Sequence, residues 1–291
     1  MIKKQKLTYR NFYFYLILIA PLAAIYITFF LIPVFQSMYF SFTNFDGLNP
    51  NARIIGWKNF QVAIKDKNLY AALGNTVFQA IGVTILQNVL SLTLAVGLNK
   101  KFKGRGFVRT LIFAPCMLAP VVVAYLWQFI YSPAGLLNTI IGGDKVWLAD
   151  ASFAPYGIVI AHSWIWMGYT ATIYLANLQS ISSDIMEAAN IDGCKGFQLF
   201  RRITFPMLAP SFTINVSLAF TGSLKIFDLV YAMTDGGPNG ATETLSTYAF
   251  RKMGTNLNGY ASAITVLMMI FIVITGQILT QALQKREEAI V

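Results

Sequence analysis

Charged residues are scarce in this chain of 291 residues, where Asp, Glu, Lys and Arg together make up 12% of the sequence. A soluble domain usually carries about 25% of these residues. Hydrophobic residues make up 56% of the chain, and its mean hydropathy is +0.58. This composition excludes an ordinary soluble domain.

Histidine and cysteine, the usual metal ligands, are nearly absent. His162 is the only histidine, so the chain cannot form an H-E-x-x-H site or a multi-histidine metal cluster. The two cysteines, Cys116 and Cys194, fall in a predicted membrane span and a predicted inner loop, so they carry no information about an oxidising compartment. We expect no metal site.

Catalytic and phosphate-binding motifs are also missing. The sequence has no G-x-x-x-x-G-K-[ST] loop and no G-x-S-x-G turn, so we expect no catalytic residues and no ATP hydrolysis by this chain alone. Ion-driven carriers usually hold carboxylates within their spans. Apart from Arg109 at the inner end of the third predicted span, the only ionised residues in a predicted span are Lys225 and Asp228, which we expect to share a helix face and to pair or reach outward, with a transport role as the alternative. The transport energy would then come from a partner.

Long apolar runs are what the sequence does have. Six of them reach the roughly 20 residues that a membrane-spanning helix needs, and lipid requires such segments to be helical. The first run is longer than the apolar part of a signal peptide, so we expect it to be retained. The sequence therefore predicts an all-α, polytopic protein with one membrane domain over residues 1–291 and six spans, at approximately 12–36, 75–99, 107–131, 155–179, 207–233 and 260–283.

The basic residues predict the orientation of these spans. With the N-terminus inside, the inner segments hold fourteen of the 22 Lys and Arg residues, as the positive-inside rule requires of a chain with both termini in the cytoplasm. The net charge of +10 therefore reflects topology, and we expect no nucleic-acid partner. The fourteen are Lys3, Lys4, Lys6, Arg10, Lys100, Lys101, Lys103, Arg105, Arg109, Lys195, Arg201, Arg202, Lys285 and Arg286.

Two local patterns refine this arrangement. Pro115 and Pro120 should bend or loosen the third span, because each removes a backbone donor. The stretch 57–73 is amphipathic and predicts a short helix at the outer interface. Its aromatic residues at headgroup depth would be Trp57, Phe60 and Tyr70.

One long inner loop, residues 182–206, is polar and patterned as two short helices. Ser183 and Asp184 can cap the first helix, and Glu187 has the spacing of a capping box with Asp184. Gly193 follows where a left-handed C-cap residue is expected, and a second helix should begin near Phe197. We call residues 182–206 the knob, because this pattern predicts a compact helix–turn–helix.

The knob resembles the EAA loop of binding-protein-dependent ABC transporter permeases, through Glu187-Ala188-Ala189, Gly193, Ile203 and Pro206. Other blocks resemble the carbohydrate uptake branch, in particular the maltose-type first permease subunit. They are Gly56-Trp57-Lys58-Asn59-Phe60, Gly74-Asn75-Thr76, Phe227-Asp228, Thr234-Asp235-Gly236-Gly237-Pro238 and Thr242-Glu243-Thr244.

This resemblance implies the ABC importer permease fold and a set of partners. They would be a homologous second permease, two ATPase subunits that hold ATP and Mg, an extracytoplasmic sugar-binding protein, membrane lipid and a sugar. This chain would bind no cofactor and would lie in the cytoplasmic (inner) membrane of a bacterium or archaeon. The turn Gly236-Gly237-Pro238 would face the binding protein. The ATPase-coupling residues would be Glu187, Ala188, Ala189, Asp192, Gly193, Phe197 and Pro206.

A sugar path is predicted in the fourth and fifth spans. His162, Trp166 and Tyr169 recur at i, i+4, i+7 and share one helix face, and aromatic faces stack on sugar rings. Helix packing would produce the same pattern. The resemblance adds the family's pocket positions, which fall at Ile165, Tyr169, Ala219, Gly222, Ser223 and Ile226.

Two functions remain open from the sequence. The first is the permease subunit of an ATP-driven sugar importer. The alternative is a self-sufficient secondary carrier or channel for a small polar solute, which would transport in vesicles without partners.

Overall fold

A computed structural model describes residues 9–49 and 52–289, with the side chains of residues 9–14 and 16 left aside. Within these ranges the chain is helical, and its one β-bridge joins Thr43 and Ile54. The helices are α1 Tyr9–Tyr26, α2 Ile32–Phe40, α3 Lys58–Lys65, α4 Lys67–Asn99, α5 Arg105–Phe113, α6 Pro120–Ile130, α7 Leu136–Ile141, α8 Ala154–Ser180, α9 Ser183–Ile191, α10 Gly196–Leu199, α11 Phe205–Met207, α12 Ala209–Ser223, α13 Asp228–Thr234, α14 Leu245–Gly254 and α15 Asn258–Glu288.

The described chain forms two compact units. One contains residues 9–65 with 252–266, and the other contains 66–251 with 267–289. In the first unit, the Asn59 Nδ2 amide donates to the carbonyls of Ser41 and Thr43, and Phe60 packs with Ala263 and Val266. A single membrane domain over residues 1–291 stays a prediction.

The number of spans is only partly established. Among the residues that the structure describes, three helical segments are long and apolar enough to cross a membrane by themselves: Ile17–Phe40, Lys67–Asn99 and Asn258–Glu288. Two bent helix pairs bring the number to five if each pair counts as one span. The predicted fourth span corresponds to α8, whose 27 residues cover 155–179, but α8 is not among these three segments. Six spans and cytoplasmic termini therefore stay predictions.

The prolines of the third predicted span do bend it, as expected. α5 continues into a 3-10 turn at Ala114–Met117, and α6 begins at Pro120 after a bend of 103°. Ala119 is extended, at φ −62° and ψ 136°, because the ring of the following proline disfavours a helical conformation before it. Residues 107–131 are thus two helices and a turn.

The predicted fifth span, 207–233, is wrong as a single helix. α12 ends at Ser223, residues 224–227 are not helical, and α13 begins at Asp228. Lys225 and Asp228 therefore do not share a helix face. No ion pair joins them within the described ranges, which corrects the expected pairing.

The interfacial helix predicted for 57–73 is also wrong in its extent. α3 ends at Lys65, and the Asp66 carboxylate caps α4 by accepting from the backbone N–H of Asn68 and of Leu69. Phe60 is buried against Phe42 and Trp57 in its own unit, so it does not lie free at headgroup depth.

In the second unit, α4 packs along α8, and α12 packs against both. Buried polar side chains join these helices. Gln87 Nε2 donates to Thr170 Oγ1 at 2.7 Å, and the Tyr174 hydroxyl donates to Asn88 Oδ1 at 2.7 Å. Such bonds between helices are favoured where lipid offers no alternative partner.

Candidate functional site

A cavity of about 400 Å³ lies in the second unit, between α4, α6, α8, α12 and α13. Ligand pockets range from about 300 to 1,000 Å³. Seven of the eight residues predicted for the sugar path line it: His162, Ile165, Trp166, Tyr169, Ala219, Gly222 and Ile226.

Ser223, the eighth, does not line the cavity. Its side chain is fully buried, and its Oγ donates to the carbonyl of Ala219 at 2.7 Å within α12. Among the other seven, Trp166 and Tyr169 present their rings at 6.2 Å in an edge-to-face pair. The structure thus brings the seven together, and their role in binding sugar stays a prediction.

Beyond these seven residues the cavity also has polar walls, of which the sequence had singled out only Lys225 and Asp228. Gln87 and Thr170, from α4 and α8, line it together with Lys225 and Asp228 from the helix break. Gln87 Oε1 and His162 Nδ1 are buried without a hydrogen-bond partner. These atoms leave hydrogen-bonding capacity for a polar cargo.

The knob forms the predicted helix–turn–helix. The Ser182 hydroxyl, rather than Ser183 or Asp184, caps α9 by accepting from the Asp184 N–H at 3.2 Å. Gly193 has φ +82°, and its N–H donates to the carbonyl of Asn190. The Cys194 N–H donates to the carbonyl of Ala189 at 2.9 Å, and these two bonds together make a Schellman motif.

The predicted coupling residues lie mostly on the outside of the knob. Glu187, Ala188, Asp192, Gly193 and Phe197 are exposed, whereas Ala189 is buried and Pro206 half-buried. The two most prominent apolar side chains are Ile191, which is 85% exposed, and Phe197, which is 76% exposed.

A second loop, residues 235–244, contains Gly236, Gly237 and Pro238, and we call it the glycine–proline loop. The Thr242 hydroxyl donates to the carbonyl of Gly237 at 2.7 Å and lies 2.7 Å from the hydroxyl of Thr234. Asn75 Nδ2, from α4, donates to the carbonyls of Gly240 and Glu243. Side chains thus hold the loop from two sides.

Ionisable groups strengthen this region. The Arg251 guanidinium donates to the Asp235 carbonyl at 2.7 Å and to Glu243 Oε1 at 3.0 Å, and the bond to Glu243 raises the pKa of Arg251. The Tyr248 hydroxyl donates to the Asp66 carboxylate at 2.5 Å. Burial, and then Asp66, raise the pKa of the Tyr248 phenol above its usual value.

Metal-ligating side chains do not gather in the described part of the chain, where no group of three His, Cys, Asp or Glu residues could hold an ion.

Solved structures share this fold. A bacterial ABC transporter involved in the import of the acidic polysaccharide alginate aligns with a TM-score of 0.82, at 21% identity, over 95% of this chain and 96% of that one. At this identity the likeness concerns the fold alone.

Sequence comparison gives the family. The probable starch degradation products transport system permease protein AmyD of Thermoanaerobacterium thermosulfurigenes is 32% identical over 99% of both chains. The trehalose/maltose transport system permease protein MalF of Thermococcus litoralis is 31% identical over 92% of both. The sn-glycerol-3-phosphate transport system permease protein UgpA of Agrobacterium fabrum is 32% identical over 88% of this chain and 90% of that one.

Residues 87–288 match the family described as the binding-protein-dependent transport system inner membrane component. The chain belongs to this family, which confirms the resemblance seen in the sequence. Its relatives are permease subunits of transport systems.

Proposed function

We propose that this chain is the membrane-spanning permease subunit of an ATP-driven sugar importer, and the knob is the observation that carries the proposal. Its turn is closed by backbone bonds at Gly193, while Ile191 and Phe197 stand almost free of the rest of the chain. Exposed apolar side chains beside charged ones are typical of a surface that meets another protein.

In this proposal the knob couples the permease to an ATPase subunit. Glu187, with Ala188 and Ala189, docks in a cleft of the ATPase, and Asp192 and Gly193 form the turn. Phe197 in α10 and Pro206 in α11 belong to the second half of the knob, which leads towards α12. Two ATPase subunits hold ATP and Mg, and their closure moves the knob so that the helices alternate between inward-open and outward-open states.

The cavity supports a carbohydrate cargo. Trp166 and Tyr169 offer partly exposed ring faces, while Gln87 and His162 offer unpartnered polar atoms. This mixture of aromatic faces and hydrogen-bonding edges suits a sugar ring and its hydroxyls. The names of two relatives, which refer to starch degradation products and to trehalose/maltose, agree with this choice.

The remaining partners follow from the same proposal. A homologous second permease completes the path, and a sugar-binding protein delivers cargo at Gly236, Gly237 and Pro238. The chain crosses the cytoplasmic membrane of a bacterium or archaeon six times, with both termini inside. Family membership favours this function over a self-sufficient carrier, because the relatives are permease subunits of transport systems.

The test is to purify the tagged chain from membranes, identify what co-purifies, and measure ATP hydrolysis and sugar uptake by the reconstituted assembly. We expect the Tyr169→Ala assembly to form while its uptake falls by about 3- to 10-fold, because a ring that stacks on the cargo is lost. Tyr156→Ala removes an exposed ring of the same helix that does not line the cavity, so it should leave uptake unchanged. Ion-driven uptake by this chain alone would overturn the proposal.

A further inference from the structure

The cavity is lined by one cation and one anion. Lys225 and Asp228 are its only lining residues with a formal charge when His162 is counted as neutral. In the described ranges neither residue forms an ion pair, with the other or with any third side chain. The cavity is therefore lined by two opposite charges that do not form an ion pair with each other.

The helix break explains how these charges occur at this depth. α12 has 15 residues and covers about 22 Å, which is less than the roughly 30 Å of a bilayer core. In the proposed membrane domain, a helix of this length that starts at one boundary of the bilayer core ends before the other, which leaves residues 224–227 inside it. Non-helical backbone and ionised side chains are tolerated there only where they line a water-filled cavity or meet polar partners. This end of the cavity must be filled by water or by a polar cargo.

A third polar group lies on α4, in another wall. Gln87 is only 4% exposed, and its Nε2 is already used in donating to Thr170 Oγ1 at 2.7 Å. Its Oε1 is buried without a partner, although it belongs to a residue that lines the cavity. A buried carbonyl left unsatisfied is unfavourable, so a hydroxyl that donates to it would stabilise the complex.

Resting on the proposed function, we propose that this cavity selects an uncharged, polyhydroxylated cargo and rejects an anionic one. Lys225 donates to hydroxyl oxygens, while Asp228 and Gln87 Oε1 accept from hydroxyl hydrogens. A hydroxyl uses both kinds of group, because it both donates and accepts. The charged group of a phosphate dianion or a uronate only accepts, and its repulsion by Asp228 offsets its attraction to Lys225, so the cost of removing that charge from water is left uncompensated.

The proposed function does not distinguish uncharged from anionic sugars, whereas the charges of this cavity do. Neutral starch fragments fit it, whereas a polyol phosphate or an acidic sugar does not.

The charge of the cavity can be measured directly with a thiol placed inside it. A Cβ at Gly222 would meet no atom within 4 Å, so Gly222→Cys fits there, in a Cys116→Ser, Cys194→Ser background. The purified assembly is treated with a cationic and an anionic methanethiosulfonate reagent of similar size, and each rate is divided by the rate for a small free thiol.

We expect the two normalised rates to agree within about threefold, because the two charges cancel. Asp228→Asn should raise the rate of the anionic reagent by about 3- to 10-fold, and Lys225→Gln should do the same for the cationic one. Asp144→Asn and Lys101→Gln remove exposed charges that do not line the cavity, so they should change neither rate. A strong preference of the parent for either reagent would overturn the inference.

The cargo itself gives the second readout. The compound that stimulates ATP hydrolysis through the binding protein should be uncharged, and Gln87→Leu should raise its half-saturating concentration by about tenfold. Gln79→Leu is the control, since Gln79 is similarly buried and its Oε1, like that of Gln87, has no hydrogen-bond partner, but it does not line the cavity. Equal effects of the two substitutions would exclude Gln87 as a binding group.

An anionic cargo would overturn this inference and leave the proposed function intact. Failure of an ATPase to co-purify would overturn the proposed function, and the thiol reaction would still report the charge of the cavity.

Discussion

The knob and the glycine–proline loop are both polar connections rich in turns, but they differ in how far side chains stabilise the backbone. The turn of the knob is closed by backbone bonds at Gly193 and Cys194, and the apolar side chains of Ile191 and Phe197 beside it are 85% and 76% exposed. In the glycine–proline loop, side chains add to the backbone bonds of the turn: Thr242, Asn75 and Arg251 donate to its carbonyls.

In the proposed function, the knob therefore leaves its side chains free to contact a partner, whereas the glycine–proline loop uses side chains to hold its own backbone. The side chains of the knob remain available, so its substitutions should affect binding more than folding. In the glycine–proline loop, side chains donate hydrogen bonds to the backbone, so substitutions there should first destabilise the conformation of the loop. The following predictions test this contrast.

The largest effect is expected from Glu187→Lys in the knob. Loss of the Glu187 carboxylate from the first turns of α9 should lower the stability of that helix by only about 0.3–1 kcal/mol. Loss of a charge pair that is enclosed in a subunit cleft should weaken binding by about 2–5 kcal/mol. We therefore expect normal membrane abundance with weak ATPase attachment, measured by co-purification and by sugar uptake. Gln198→Lys also places an exposed lysine on the knob, with a charge change of +1 instead of +2, and serves as the comparison. Full coupling in Glu187→Lys would show that this side chain does not mediate ATPase attachment.

The next effect concerns Tyr248, which fixes the region beside the glycine–proline loop. Tyr248→Phe removes a hydrogen bond to a carboxylate and should lower the free energy of unfolding by about 1.5–3 kcal/mol at neutral pH. Because the pKa of the phenol is raised in the folded state, this stabilisation is complete below about pH 10 and is lost as the pH rises through the raised pKa. The difference in the free energy of unfolding between the parent and Tyr248→Phe, measured in detergent, should therefore be smaller at pH 10.5 than at pH 7.5. Exposed Tyr70→Phe should show no difference at either pH.

Gly193→Val should have a smaller effect on folding but a clear one on coupling. A β-branched residue opposes φ +82° and costs about 1–2 kcal/mol, so the turn of the knob should open. Gly142 has a similar φ of +79° in another loop, and Gly142→Val imposes the same strain there. Only Gly193→Val should reduce ATPase co-purification, and an equal reduction by both would point to general destabilisation.

The smallest effect is expected for Arg251→Gln. Arg251 and its partner Glu243 are partly exposed, so their pair should contribute about 0.2–1 kcal/mol. We expect nearly normal stability and a few-fold weaker stimulation of ATP hydrolysis by loaded binding protein, because the loop loses one of its supports. Lys58→Gln, an exposed substitution elsewhere, should leave stimulation unchanged. If Arg251→Gln does so too, the loop is only a connector.

Features set by local chemistry were predicted from the sequence. The left-handed residue at Gly193 and the bend between Pro115 and Pro120 each depend on a few neighbouring residues, and both are present. The seven cavity residues that the structure brings together came from helical spacing and from the family resemblance.

Features set by distant contacts were missed. The break at residues 224–227 has neither Gly nor Pro, and its Leu-Lys-Ile-Phe sequence reads as the continuation of a span. Thr244, from beyond α13, holds it by donating to the carbonyl of Ile226 at 3.2 Å. Gln87 was missed for the same reason, since only the packing of α4 along α8 brings it to the cavity.

The first three turns of α4 have a consequence for biosynthesis. Their polar groups at Asp66, Asn75 and Thr76 find partners in Tyr248, Gly240 and Leu245, which are synthesised between 165 and 182 residues later. At about 5–20 residues per second, the ribosome needs roughly 10–30 s to supply them. Until then these three long-range bonds cannot form, although the Asp66 carboxylate can already cap α4 and the Thr76 hydroxyl can donate to the carbonyl of Ala72, and a chain that stops short of residue 240 never forms them. Translation that ends early would therefore leave a recognisable target for membrane proteases.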